Sequence, residues 1–142
     1  MNDEYRFLGS GVEAPQQFAA LGSPGSGTYV GLETFENPGC GVVSYSSDEV
    51  MASCPITGQP DFYTVTIQLR DTELLIESKS LKLFFQNLMV SSLGENGHGI
   101  FCEALAVHIR DTIAGTVGAE QEQVAVQLVQ KSRGGISITA VA

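Results

Sequence analysis

Residues 62–69, FYTVTIQL, decide the fold of this chain because they carry its clearest hydrophobic pattern. Apolar side chains alternate there with a mostly polar set, which is typical of a β-strand with one buried face. The set predicted to face inward is Tyr63, Val65, Ile67 and Leu69. The sequence ELLIES, beginning at residue 73, predicts a second strand after a turn, and residues 41–45 form a shorter strand candidate upstream.

The hydrophobic period changes after residue 80, where apolar residues recur three and four positions apart. This spacing predicts an amphipathic helix that ends near residue 92, with Ser78 or Ser80 as its N-cap. Its apolar face comprises Leu81, Phe84, Phe85, Leu88 and Met89. A second helix is predicted over about residues 100–114. Its apolar face comprises Phe101, Leu105, Ile109 and Thr112 or Ile113.

Period-2 alternation returns in residues 124–128 and 136–140, so the predicted order is β-β-α-α-β-β. Two hairpins that flank a helical pair favour an α+β fold, in which one antiparallel sheet carries both helices on a single face. Residues 1–28 are rich in Gly, Ser and Pro and predict a flexible lead-in, which leaves residues 29–142 as a single domain.

Composition narrows the possible functions. The chain has 142 residues, 43% of them hydrophobic and 16% charged, with a formal net charge of −9. Such an acidic chain is a poor binder of phosphate backbones, so we expect no direct nucleic-acid partner. No run is long and apolar enough to cross a membrane, and the first residues lack a signal pattern, which indicates a cytoplasmic protein with reduced cysteines. The few cations concentrate in two places, at Lys79 and Lys82 and at Lys131 and Arg133, which are candidate anion sites.

A cysteine with an unusual setting lies just before the central strand. Cys54 is followed by Pro55, and Gly58 and Pro60 force the chain to turn before Asp61. A cysteine held on a rigid loop is a candidate nucleophile, although a free cysteine is often an inert buried residue and an aspartate at a strand start is often a turn residue.

Four segments together resemble a known enzyme family. They are LETFENP at 32–38, CPITGQPDF at 54–62, ESKSLKLFF at 77–85 and RGGISI at 133–138. They are similar, in the same order, to segments of the queuosine-pathway nitrile reductases, which convert 7-cyano-7-deazaguanine to 7-aminomethyl-7-deazaguanine with NADPH. The resemblance implies the tunnelling fold of GTP cyclohydrolase I, and a ring-shaped homo-oligomer with sites between subunits.

The resemblance also implies roles for individual residues. Cys54 would attack the nitrile carbon to form a covalent thioimide, Asp61 would protonate the nitrogen, and NADPH would deliver hydride twice. The implied substrate-binding residues are Ile76, Glu77, Ser78, Cys102 and Glu103. The implied NADPH-binding residues are Ser78, Lys79, Lys82, Arg133 and Gly134. Cys102 departs from the family pattern, because histidine usually stands at that position.

Three alternatives stay open from the sequence. A zinc-dependent cyclohydrolase of the same fold could use Cys54, His98 and Cys102 as metal ligands, whereas the reductase hypothesis implies no metal. An amidine-forming relative would share the thioimide without using NADPH. A non-catalytic purine-binding protein on the same fold is the third.

Overall fold

The computed structural model describes Phe18, Leu21 and residues 28–91 and 99–142. The predicted lead-in therefore lies almost wholly outside the described residues. The elements, in chain order, are β1 (Thr34–Glu36), β2 (Val42–Ser53), β3 (Pro60–Arg70), β4 (Leu74–Ile76), α1 (Ser78–Ser91), α2 (Cys102–Val117), β5 (Val124–Arg133) and β6 (Ile136–Val141). The predicted α+β class is confirmed, and both helices lie between the two strand groups in the chain.

The main sheet has four antiparallel strands in the order β2-β3-β5-β6. The predicted hairpin between residues 62–69 and ELLIES is wrong, because β3 pairs with β2 on one side and β5 on the other. The short strand β4 pairs instead with β1 in a separate two-stranded sheet. The strand expected at residues 41–45 extends to Ser53, past a register shift between Ser47 and Val50. As a result, Cys54 lies in the loop of the long β2–β3 hairpin.

The core forms where α1 packs on β2 and α2 packs on β5 and β6. All four residues predicted to face inward on β3 are buried, with relative exposures of 0–1%. The predicted helix faces are buried at Leu81, Phe84, Phe85 and Leu88 on α1 and at Leu105, Ile109 and Ile113 on α2. Met89 is only half-buried, and Phe101 is 56% exposed because it precedes the first helical residue. Among the described helices, none is long and apolar enough to cross a membrane.

Candidate active site

Backbone hydrogen bonds fix the loop that carries Cys54. The Cys54 amide donates to the Gln59 carbonyl at 2.8 Å, and the Gly58 amide donates back to the Cys54 carbonyl at 2.9 Å. Gly58 has a φ of 70°, in the left-handed region that glycine adopts without strain. The loop therefore holds the partly exposed Cys54 side chain at the end of the sheet, as the Pro- and Gly-containing sequence predicts.

The surroundings of Cys54 favour its thiolate form. The pKa of the Cys54 thiol is lowered from its ordinary value, first by a hydrogen bond from the Thr57 side chain and then by the backbone N–H groups of Thr57 and Ile56. Partial burial and the negative charge of Asp61 act in the opposite direction. Because the thiolate is the nucleophilic form of cysteine, this loop activates Cys54. Thr57 was not singled out from the sequence, since its role depends on the way the loop turns back on Cys54.

Asp61 lies at the start of β3 and is 5% exposed. Its Oδ1 accepts a hydrogen bond from Nη1 of Arg133 at 2.5 Å, and Nη2 of Arg133 donates to Gln59 Oε1 at 2.8 Å. Arg133, which the family resemblance assigns to the cofactor, is thus the ion-pair partner of the predicted acid. To donate a proton, Asp61 must first be released from this guanidinium.

The start of α2 closes over the same end of the sheet. The Ile100 amide donates to the Ser53 carbonyl at 2.9 Å, and a Cβ added at Gly99 would lie 2.0 Å from that same oxygen. Only glycine fits this close approach of two backbone segments. Cys102 and Glu103 follow as the first two residues of α2 and are thereby held beside the Cys54 hairpin.

Cys102 and Glu103 differ sharply in exposure. Cys102 is 1% exposed, and its Sγ donates to the Leu128 carbonyl at 3.8 Å. Burial, followed by the charge of Glu103, raises the pKa of the Cys102 thiol. Glu103 is exposed. Cys102 is therefore a neutral thiol packed against β5, while the Glu103 carboxylate is accessible to a ligand.

The ESK segment has a structural role of its own. Glu77 Oε1 accepts from the Lys79 amide at 2.7 Å, and Oε2 accepts from the Ser80 amide at 2.8 Å. The prediction of Ser78 or Ser80 as the N-cap of α1 is therefore wrong, because the buried carboxylate of Glu77 caps the helix. The backbone amides of Lys79 and Ser80 are occupied by Glu77 and are not open to a cofactor phosphate. The cationic side chains of the half-buried Lys79 and the exposed Lys82 remain at this helix start.

The predicted site residues form two separate groups within one subunit. Tyr45, on β2, donates through its hydroxyl to the Ile76 carbonyl at 2.9 Å and accepts from the Ile76 amide at 3.0 Å, which fixes the ESK segment beside it. From Tyr45 to Ser53 the strand covers roughly 25 Å at about 3.3 Å per residue. One group therefore lies far from Cys54 and comprises Ile76, Glu77, Ser78, Lys79 and Lys82. The other group lies at the Cys54 end of the sheet and comprises Asp61, Cys102, Glu103, Arg133 and Gly134.

A groove of about 470 Å³ opens next to Asp61. It is lined by Gln59, Pro60, Phe62, Lys131, Ser132 and Arg133. Two cations and the half-exposed ring of Phe62 give it the properties of a site for an anionic ligand with an aromatic ring. Gly134 and Gly135, with φ of 60° and 83°, form the tight turn from β5 to β6 that brings Arg133 to this groove.

The cysteines of the described residues are free, with Cys40 exposed and Cys102 buried. Within residues 28–91 and 99–142, no three His, Cys, Asp or Glu side chains form a group that could hold a metal ion. His98, the third ligand of the zinc hypothesis, lies outside the described residues.

Comparison with known proteins shows the family to which the chain belongs. No protein-family profile matches the chain. An NADPH-dependent 7-cyano-7-deazaguanine reductase of Frankia casuarinae is 35% identical over 121 residues, which cover 84% of this chain and 90% of that protein. The chain belongs to the NADPH-dependent 7-cyano-7-deazaguanine reductase family. The family resemblance seen in the sequence is confirmed.

Other members of the reductase family align over less of their own length. A relative from Syntrophobacter fumaroxidans is 35% identical, covering 78% of this chain and 67% of that protein. A relative from Agrobacterium fabrum is 40% identical over 81 residues, covering 55% of this chain and 48% of that protein. The apo crystal structure of the archaeosine synthase QueF-Like matches with a TM-score of 0.59 at 18% identity, over 73% of this chain and 93% of that one. At this identity the likeness shows the fold alone, and it confirms the predicted tunnelling fold.

Proposed function

We propose that this chain catalyses the NADPH-dependent, four-electron reduction of the nitrile of 7-cyano-7-deazaguanine to 7-aminomethyl-7-deazaguanine, in tRNA queuosine biosynthesis in the cytoplasm. The observation that carries the proposal is the activated Cys54 thiol beside Asp61, in a chain of this reductase family. The substrate is the free base, and the acidic chain needs no nucleic-acid partner.

Cys54 acts as the nucleophile. Its thiolate adds to the nitrile carbon, which forms a C–S bond and moves an electron pair onto the nitrogen. The proton lost by the Cys54 thiol passes to Asp61 once its carboxylate is released from Arg133, and Asp61 then protonates that nitrogen to give the neutral thioimide. The hydrogen bonds from Thr57 and Ile56 support this role, since they favour the thiolate before substrate binds.

The substrate ring is recognised by carboxylates. Two N–H donors on one edge of a guanine-like ring match the two oxygens of a carboxylate. Glu103 is exposed beside Cys54 and is the first candidate. The other proposed substrate contacts are Ile76, Glu77, Ser78 and Cys102.

NADPH is bound by cations. Lys79 and Lys82, with Ser78, lie at the start of α1, and Arg133 and Gly134 lie at the β5–β6 turn. The groove beside Arg133 fits part of a dinucleotide, because it combines positive charge with the exposed ring of Phe62. When bound, the cofactor supplies hydride to the reacting carbon.

The active site is completed by a second copy of the chain. The ESK segment and the Cys54 hairpin are separated by roughly 25 Å of strand in one subunit, which is too far for both to contact one small base. In a ring-shaped homo-oligomer, the ESK segment of one subunit lies against the Cys54 hairpin of the next. Exposed apolar side chains at Met51, Phe62, Ile136 and Ile138 support such contacts.

Turnover of the nitrile tests the proposal. The reduced protein is mixed with 7-cyano-7-deazaguanine, and NADPH consumption is followed with Cys54→Ala as the control. We expect two NADPH consumed per nitrile by the wild type and none by the variant. An absence of NADPH consumption by the wild type would refute the reductase proposal and favour an amidine-forming or binding-only protein.

Subunit mixing tests the shared site separately. Cys54→Ala and Lys79→Ala are each expected to be inactive, because they remove different halves of the site. When the two are unfolded together and reassembled, subunit pairs with one intact site should form, and activity should return. No recovery in assembled mixtures would show that each subunit contains a whole site.

A further inference from the structure

The hydroxyl of Tyr63 is a buried polar group that the proposed mechanism does not use. Tyr63 is 0% exposed, and its Oη has no hydrogen-bond partner within the described part of the chain. A buried hydroxyl is normally hydrogen-bonded, because losing its water without a replacement partner destabilises the fold. The unpartnered Tyr63 hydroxyl is therefore a candidate hydrogen-bonding group for a bound ligand.

The position of Tyr63 places this hydroxyl under the candidate active site. Tyr63 follows Asp61 by two residues on β3, so both side chains lie on the inward face of the strand. Its cross-strand neighbour on β5 is Gln130, two residues from Leu128, whose carbonyl accepts the Cys102 thiol. The start of α2 covers this end of the sheet. Tyr63 is thus buried on the inward face of β3, two residues from Asp61, beside the strand on which α2 packs.

The electrostatic surroundings indicate which groups are near. Burial is the largest cause that raises the pKa of Tyr63, and electrostatic interactions with Asp61, Cys102, Cys54 and Glu103 raise it further. All four are proposed site residues. Because its pKa is raised, the phenol stays protonated near neutral pH and is a hydrogen-bond donor.

A guanine-like ring needs such a donor. The edge that offers N–H groups to a carboxylate also carries the ring carbonyl oxygen, which accepts hydrogen bonds. Glu103 is an acceptor when ionised and cannot satisfy that oxygen, and the Cys102 S–H already donates to Leu128. Position 102 therefore offers no free donor to the ring.

We propose that the Tyr63 hydroxyl donates a hydrogen bond to the ring carbonyl oxygen of bound 7-cyano-7-deazaguanine. This inference rests on the proposed function. Tyr63 is then a substrate-binding residue that determines affinity for the carbonyl-bearing ring and takes no part in hydride transfer.

Binding is measured in the Cys54→Ala background by titration calorimetry, so that affinity is separated from covalent chemistry. Adding Tyr63→Phe removes one oxygen and keeps the ring. We expect the dissociation constant for 7-cyano-7-deazaguanine to rise about tenfold, the value for one net hydrogen bond. The Cys54→Ala protein and the Cys54→Ala, Tyr63→Phe protein should have equal dissociation constants for an analogue that carries hydrogen in place of the ring carbonyl oxygen. In the active background, Tyr63→Phe should raise the KM for the nitrile and leave the KM for NADPH unchanged.

Thermal unfolding without substrate gives a second readout. Because the hydroxyl lacks a partner, Tyr63→Phe should leave Tm unchanged or raise it. Tyr45→Phe is the matched comparison, since the Tyr45 hydroxyl makes two hydrogen bonds to Ile76. Its removal should lower Tm by several degrees.

The outcomes separate the two proposals. If the Cys54→Ala protein binds the base but Tyr63→Phe changes the dissociation constant less than twofold, the Tyr63 inference is wrong while the reductase proposal stands. A fall in Tm as large as that of Tyr45→Phe would also overturn it, because the hydroxyl would then have a partner in the free protein. If the Cys54→Ala protein does not bind the base and the wild type consumes no NADPH, both proposals fail together.

Discussion

The ion pair between Asp61 and Arg133 gives the most quantitative prediction. Arg133→Met removes the guanidinium and keeps most of the aliphatic stem, so it leaves the Asp61 carboxylate buried without its partner. The side chain of Asp61 is 6% exposed and that of Arg133 is 45% exposed. The pair is therefore intermediate between a surface ion pair and a buried one.

The two limits set the expected magnitude. Breaking a buried pair by removing one partner costs about 3–5 kcal/mol, whereas an exposed pair contributes about 0–1 kcal/mol. We expect Arg133→Met to lower the free energy of unfolding by about 1.5–3 kcal/mol. Asp61→Asn should cost a similar amount, and the double variant should cost clearly less than the sum, because the buried charge and its lost partner are removed together.

Urea denaturation at one fixed protein concentration measures all four proteins of this cycle. Lys131→Met is the matched control, because Lys131 is an exposed cation on the same strand with no salt bridge in the described structure. It should change stability by less than about 0.5 kcal/mol. Additive effects of Arg133→Met and Asp61→Asn, or an Arg133→Met effect no larger than that of Lys131→Met, would refute the reasoning.

Three further predictions concern the elements around the site. Thr57→Val removes the largest cause of the lowered Cys54 pKa, so the pH midpoint of Cys54 alkylation should move upward. Thr57→Ser keeps the hydroxyl and should retain the wild-type midpoint. An unmoved midpoint in Thr57→Val would contradict the role assigned to Thr57. Glu77→Ala removes the cap of α1 and should lower the free energy of unfolding, measured by urea denaturation, by about 1–2 kcal/mol. An unchanged free energy of unfolding would show that another group caps the helix. Gly99→Ala places a methyl group 2.0 Å from the Ser53 carbonyl oxygen and should lower the free energy of unfolding by about 1–3 kcal/mol. Backbone amides at the start of α2 should also exchange faster with solvent. Unchanged amide exchange would show that this contact is not tight.

The sequence predicts those parts of the fold that depend on local periodicity. The inward face of β3 and the apolar faces of α1 and α2 follow from spacing, and the structure buries nearly all of those residues. Strand pairing does not follow from spacing, because a short apolar run such as β4 can pair with any exposed edge. The true partner of β3 was hidden because β2 carries polar residues and a register shift, which break its alternation.

Some residues of the candidate site can likewise be predicted from the sequence, and others are found only in the structure. Cys54 and Asp61 are visible as residue types in a Pro- and Gly-rich turn, and the family resemblance supports them. The pairing of Asp61 with Arg133 joins residues 72 positions apart, so no local pattern indicates it. Glu77 is not a residue type that usually caps helices, which is why the neighbouring serines were favoured. Tyr63 looks like an ordinary core residue in the sequence, and only the structure reveals its unpartnered hydroxyl.

The covalent bond at Cys54 is the central claim, and intact-protein mass spectrometry tests it most directly. The reduced protein is incubated with 7-cyano-7-deazaguanine without NADPH, next to Cys54→Ala and to Cys102→Ala as a matched cysteine control. We predict that the wild type and Cys102→Ala gain the mass of one substrate molecule per subunit and that Cys54→Ala gains none. An unmodified wild-type protein, or an adduct that persists in Cys54→Ala, would contradict the account.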